Sequence, residues 1–332
     1  MAVAGLLLAA CSDANESKGS PSRTSTRSAS TTASASTTTV APGAPERARA
    51  ARASKGCGTP PAVTSAQDPV GDVPLTFESE GVSRSYRFAV PPDYDPERPA
   101  PLVLNLHGSG SNAAQQSLYS ALPAKGTARG FVVVTPDAID GQWELAGQGR
   151  DDRFLTALVD DVEAHYCVDL DRVHAAGISL GSWKATITAC THPDRFASIA
   201  LIAEEVAPEG CSVPVVAFHG TGDRVVPYGS GADEGVVVTG PNAGLPGVEV
   251  NMPRWARNNG CSTERAVEQI GSDVEHWRYL GCPKGTGVEL YSILHGGHTW
   301  PGSPVQLPGR ATTETIDATE IALDWFVAHP MP

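Results

Sequence analysis

Missing from the 332 residues is any run of about 18 apolar residues, the length a helix needs to span a bilayer. A basic excess is missing too. Lys plus Arg number 24 against 37 Asp plus Glu, a net charge of −13. That balance argues against nucleic acid or an anionic membrane surface as the main partner, because both attract basic patches. Charged residues make up 18% of the chain and aromatics 6%, beside 41% hydrophobic residues. This composition fits neither a chain disordered throughout nor a coiled coil. No internal repeat is visible. The length is ample for one large core or two ordinary ones.

Residues Met1 to Ala10 are apolar and end in Leu8-Ala9-Ala10-Cys11. A short apolar run before small residues reads as a signal-peptide core with its cleavage site. The ending resembles a bacterial lipobox, which makes Cys11 the expected lipidated N-terminus of the mature protein. No Lys or Arg precedes the run, so the true start is expected upstream. From Ser12 to Val40, 16 of 29 residues are Ser or Thr. Such a segment cannot bury enough apolar surface to offset chain entropy. Three divisions follow: residues 1–11 as signal and lipobox, 12–56 as a disordered tether, and 57–332 as a single folded domain. The tether carries net charge +4, so the body is the more acidic part, with 17 basic against 34 acidic residues.

In the body, strands and helices alternate. Thr76–Glu80 and Ser83–Val90 read as a leading antiparallel hairpin, with Tyr86, Phe88 and Val90 alternating against Ser85, Arg87 and Ala89. Apolar runs predict strands at Pro101–Leu106, Phe131–Thr135, Arg172–Ile178, Ser198–Ala203, Val213–Phe218 and Val288–Leu294. Helical spacing covers Ala113–Arg129, Asp151–Tyr166 and Thr313–Val327. Strand–helix alternation with continuously apolar strands implies an α/β domain whose mostly parallel sheet is covered on both faces. The Gly- and Pro-rich stretch Tyr228–Pro246 reads as a surface excursion.

Gly177-Ile178-Ser179-Leu180-Gly181 matches G-x-S-x-G. In a chain this rich in Gly and Ser the match alone is weak. Its context is better: a strand leads in, a helix-capable segment leads out, and a side chain at either glycine would collide with neighbouring backbone. An acid follows the next strands in His219-Gly220-Thr221-Gly222-Asp223, and a base follows the last strand in His295-Gly296-Gly297-His298. The order Ser179, Asp223, His298 is that of α/β-hydrolases, in which such a trio works as nucleophile, orienting acid and base. The backbone N–H groups of Leu180 and Ser109 are the expected oxyanion donors. His107 is expected to hold the Ser109 loop, and His295 to pack against the body. A zinc site at His295 and His298 lacks further clustered ligands, so no metal and no cofactor is expected.

These segments resemble the esterase/polyhydroxybutyrate-depolymerase family, which includes feruloyl and acetylxylan esterases of carbohydrate esterase family one. The resemblance rests on Pro101–Gly108, Asp151–Leu155, Val168–Val173, the Ser179 motif, His219–Asp223 and Gly296–Gly302. With the lipobox and tether, it is the actinobacterial lipoprotein members that the chain looks like. One departure stands out: Ser179-Leu180-Gly181-Ser182 occupies the place where that family commonly has Ser-Asn-Gly-Gly or Ser-Ala-Gly-Gly.

The resemblance implies an α/β-hydrolase fold and a serine esterase acting on a polyester or an acylated polysaccharide, outside the cytoplasmic membrane. Trp300 and Trp143 are expected to line the substrate cleft. Two rivals share the fold: an acyltransferase using a sugar acceptor, and a catalytically silent envelope binding protein. Removing Cys11 leaves six cysteines, an even number suited to an oxidising compartment. The expected pairs are Cys57 with Cys167, Cys190 with Cys211, and Cys261 with Cys282.

Overall fold

The computed structural model describes residues 50–63 and 71–332. The signal segment, Cys11 and most of the expected tether lie outside the described residues. Among those described, ten strands form one sheet in the order β1-β2-β4-β3-β5-β6-β7-β10-β9-β8. β1 (Val73–Ser79) and β2 (Val82–Ala89) are the leading hairpin and join antiparallel to β4 (Val132–Pro136). From β4 the sheet runs parallel through β3 (Ala100–Leu106), β5 (Val168–Ile178), β6 (Ser198–Ile202), β7 (Val215–Gly220) and β10 (Val288–Ile293). β9 (Val274–Tyr279) and β8 (Arg265–Ile270) close the far edge antiparallel.

The parallel strands are apolar along their length because helices cover both faces. β3, β4, β6 and β7 are buried at every position. On one face α3 (Arg150–His165) presents Phe154, Leu155, Leu158, Val159 and Val162, all buried. Each such side chain contributes roughly 1.5–3 kcal/mol relative to exposure. α6 (Ala318–Ala328) buries Leu323 and Phe326 in the cluster on the other face.

Three features depart from the sequence expectation. The helix expected over Ala113–Arg129 is two, α1 (Ala113–Ser120) and α2 (Leu122–Ala128), divided at Ala121 with φ 53°. Pro123 explains the break: it has no N–H to give the preceding turn, and its ring opposes the carbonyl four residues back. Second, α5 (Val248–Asn258), β8 and β9 were not foreseen. β8 is mostly exposed and polar, as an edge strand tolerates, so it carries no apolar run.

Third, the folded body takes in residues assigned to the tether. Ala53 bridges to Asp169, the Ser54 N–H donates to the Val168 carbonyl at 2.9 Å, and Arg52 pairs with Asp171. These partners lengthen β5 to begin at Val168.

Three disulfides join Cys57–Cys167, Cys190–Cys211 and Cys261–Cys282, the pairs expected above. The first spans 110 residues and ties the N-terminal segment to β5. Loop-closure entropy makes it the most stabilising of the three, worth on the order of 4–5 kcal/mol. Replacing both Cys57 and Cys167 by alanine is therefore expected to cost about 1.5 kcal/mol more stability than replacing either local pair, read from urea unfolding. Equal midpoint shifts for all three pairs would contradict that ranking.

Candidate active site

β5 ends at Ile178, α4 (Leu180–Thr191) begins at Leu180, and Ser179 sits between them at φ 57°, ψ −124°. This is a strained conformation for a non-glycine residue. It is held by the Ser179 N–H donating to the Ile202 carbonyl at 2.8 Å and by the Trp183 N–H donating to the Ser179 carbonyl at 3.0 Å. The turn is this tight because Gly181 lies against β3: a Cβ there would come within 2.3 Å of the Leu106 carbonyl oxygen. The N–H of Leu180 heads α4 and has no intrahelical acceptor.

Asp223 and His298 come from loops after the neighbouring parallel strands β7 and β10. Those loops are knitted together. Thr221 N–H donates to the Ile293 carbonyl, Gly222 N–H to the Gly296 carbonyl, and His295 N–H to the Thr221 hydroxyl, all at 2.8–2.9 Å. Gly220 lets the backbones approach, since a Cβ there would lie 2.1 Å from the Gly296 carbonyl oxygen. The result is a hydrogen bond of 2.7 Å between His298 Nδ1 and Asp223 Oδ2. The other carboxylate oxygen, Oδ1, accepts from the N–H groups of Val225 (2.7 Å) and Val226 (3.0 Å). Burial alone would raise the Asp223 carboxyl, but the His219 imidazole beside it and the hydrogen bond with His298 outweigh that and hold the group well below the ordinary carboxylate range.

The loop after β3 brings Ser109 to the same place. His107 fixes that loop, as expected: its Nδ1 donates to the Gly108 carbonyl at 2.8 Å while its Nε2 accepts the Ala138 N–H at 3.0 Å. Burial lowers its affinity for a second proton, which suits a neutral ring used in both directions. The Ser109 hydroxyl exchanges hydrogen bonds with the Gln142 amide. Ser109, Ser179 and His298 line one cavity of about 660 Å³, with Leu118, Tyr119 and Leu307 among its walls. A second cavity, of about 420 Å³, is also lined by His298 and includes Asp233, His295 and Arg310. Arg310 borders both cavities and donates to the His298 carbonyl at 3.1 Å.

Two expectations about the cleft are corrected. Trp300 does not line it: the side chain is 0% exposed, its Nε1–H donates to the Thr319 hydroxyl on α6, and its backbone N–H donates to Tyr119. The residue anchors the His298 loop to the core, and its apolar bulk is the reason it goes inward. Trp143 is likewise buried, at 4% exposure, with Nε1–H donating to the His107 carbonyl and its ring 5.0 Å from the His107 ring. It braces the Ser109 loop from behind. His295, expected to pack, is 83% exposed; φ 59° turns it out to meet Asp233 at 3.0 Å. The walls Leu118, Tyr119 and Leu307 come from segments without any motif. Another residue beside the trio carries no motif of its own: His219, behind Asp223 and four positions before it in the same His219–Asp223 segment.

Comparison with known proteins agrees with this architecture. A family model described as "Putative esterase" matches residues 79–277. The chain is 29% identical over 301 residues to "Putative esterase NocK" of Nocardia uniformis subsp. tsuyamanensis, covering 78% of this chain and 84% of that one. It is 28% identical over 266 residues to Feruloyl esterase D of Neurospora crassa, covering 75% and 82%. Among solved structures, acetyl xylan esterase from Aspergillus awamori superposes with a TM-score of 0.55 over 77% of this chain and 99% of its own, at 14% identity. At that identity the likeness speaks for the fold.

Proposed function

The chain belongs to the esterase family and is a carboxylic ester hydrolase, and from that premise we propose that it is a serine esterase whose nucleophile is Ser179, base His298 and orienting acid Asp223. The observation that carries this reading is the 2.7 Å hydrogen bond between Asp223 and His298, the latter lining the same cavity as Ser179. In the proposed reaction the Ser179 hydroxyl adds to the ester carbonyl while His298 Nε2 takes its proton. The N–H groups of Ser109 and Leu180 stabilise the oxyanion, each worth roughly 3 kcal/mol of barrier. Collapse expels the alcohol, protonated by His298, and leaves an acyl-enzyme. Water, deprotonated by the same imidazole, then releases the acid and restores the serine. Asp223 holds the Nδ1 proton throughout and stabilises the imidazolium.

For the substrate, the proposal is an ester of an aromatic or short acyl group with a polysaccharide. Support comes from the apolar walls Leu118, Tyr119 and Leu307 of the cavity beside Ser179, and from the relatives named for feruloyl esterase activity. The three disulfides and the Leu8–Cys11 motif support a site of action outside the cytoplasmic membrane, with Cys11 as lipid anchor.

A fluorophosphonate is expected to inactivate the enzyme at one equivalent, with its mass addition on the peptide containing Ser179. Methyl ferulate and acetylated xylan are expected to be hydrolysed with higher kcat/KM than hydroxybutyrate oligomers. Labelling of another residue refutes the nucleophile, and a preference for the oligomers refutes the substrate class.

A further inference from the structure

Behind the proposed acid lies a second imidazole that the reaction above does not use. His219, the penultimate residue of β7, has no exposed side-chain surface. Its Nδ1 is 2.7 Å from Glu205 Oε2, and its Nε2 is 3.3 Å from Asp223 Oδ2, the same oxygen that bonds His298. At 3.3 Å and off-axis, the contact with Asp223 is an ion pair rather than a well-formed hydrogen bond. Glu205 is itself built in: Asn251 Nδ2 on α5 donates to its Oε1 at 3.2 Å, and Trp255 Nε1 donates to its backbone carbonyl at 3.0 Å.

We propose that His219 is a positioning residue for ester hydrolysis: wedged between Glu205 and Asp223, it offsets part of the Asp223 charge and thereby sets how strongly His298 holds its proton. The inference rests on the assignment of Asp223 and His298 made above.

Two buried carboxylates beside an uncharged ring would leave two negative charges unbalanced, and one cation between them removes half of that. Burial disfavours the His219 imidazolium, yet the Glu205 and Asp223 carboxylates outweigh it and push the group up to about 10. The other groups around the ring do not supply that cation. Glu204, buried next to Glu205, is pushed up to about 8 by burial and by Glu205, so it is mostly neutral at pH 7. Tyr228 sets its ring edge-on to His219 at 5.4 Å and donates its hydroxyl to Ser292 on β10. His298 meets the same Asp223 oxygen through its Nδ1. Asp223 thus stands between two imidazoles, one placed to exchange protons with substrate and one sealed from solvent with a fixed charge. A cation behind Asp223 weakens its pull on the His298 proton.

The test is the pH dependence of kcat/KM, whose acidic limb reports deprotonation of the base in the free enzyme. In His219→Gln the cation is gone while an amide still reaches Glu205. The acidic limb is expected to move upward by about 1 pH unit, with kcat above the limb changed little. Adding Glu205→Gln removes the matching anion, so the double variant is expected to bring the limb back toward the wild-type position. A purely structural role would lower stability and leave the limb where it was. That outcome in a folded His219→Gln protein overturns the proposal.

If the variant does not fold, the wild-type enzyme decides through the ring 15N signals of His219. Both nitrogens are expected to stay protonated at pH 7 to 8, and a neutral ring there overturns the proposal. Fluorophosphonate labelling separates the two levels of inference. An unlabelled Ser179 removes the active-site assignment; a labelled Ser179 with an unmoved limb removes only the role of His219.

Discussion

Replacing Ser179 by alanine is expected to lower kcat on a short p-nitrophenyl ester by a factor on the order of 10⁴–10⁶, with the fold intact. In serine hydrolases the nucleophile and its base act as a unit, so losing the oxygen removes nearly all of what the group contributes. What is expected to survive is the proposed oxyanion pocket at Ser109 and Leu180 together with substrate binding. The fold should tolerate the change because the unusual backbone at φ 57° is imposed from outside. The bond to Ile202 and the close pass of Gly181 under β3 do not involve the hydroxyl. Alanine keeps the same Cβ, so the strain is neither added nor relieved. Near-UV circular dichroism and the thermal midpoint check the fold, and the ester assay checks the chemistry. Unchanged turnover would remove Ser179 from the reaction altogether.

Asp223→Asn should cost about 10⁴ in kcat near pH 7, for a reason that the neighbouring backbone dictates. The N–H groups of Val225 and Val226 both donate to Oδ1, so the asparagine carbonyl oxygen must turn to them. Its NH₂ then faces His298 Nδ1, which is forced to accept. The ring proton moves to Nε2, the atom that has to take the proton from Ser179, and the base is blocked. The same NH₂ is set against the buried cation on His219, which keeps only Glu205 as a partner. Loss of stability on the order of 3 kcal/mol is expected from that second effect, read from urea unfolding. The two effects separate in the triple variant Glu205→Gln, His219→Gln, Asp223→Asn: the added changes remove the buried cation together with its remaining partner but leave the tautomer wrong, so stability recovers and activity does not. Activity within tenfold of wild type in Asp223→Asn alone would refute Asp223 as the orienting acid.

The parallel strands were legible because each buries both faces and so reads as a continuous apolar run, as in Pro101–Leu106 and Val213–Phe218. The Ser179 turn, the Asp223 loop and the His298 loop were legible because glycines at 181, 220 and 296 stand where backbones cross, and glycine leaves a mark in sequence. β8 and β9 were not, because an edge hairpin such as Arg265–Tyr279 is half polar and carries no apolar period. The division of α1 from α2 was visible in principle at Pro123 but was overridden by helical spacing on both sides. Trp300 and Trp143 were misplaced for a different reason. An indole beside a catalytic loop has the composition of a substrate platform, and only packing reveals that both rings turn inward to brace the loops.

By itself, then, the sequence determined the class of sheet, the order Ser179, Asp223, His298 along the chain, and the loops that present them. Each of these is a local property, set by strand burial and by glycine where backbone must pass close. Tertiary structure alone decided the 2.7 Å register of Asp223 with His298, the inward turn of the two tryptophans, and the burial of His219 between Glu205 and Asp223. These depend on residues far apart in sequence meeting in three dimensions, such as Glu205 and His219 at 14 positions, Asp223 and His298 at 75, and Tyr119 and Trp300 at 181, and on burial that strengthens charge interactions water would otherwise screen. Neither separation nor dielectric is written in any single segment of the chain.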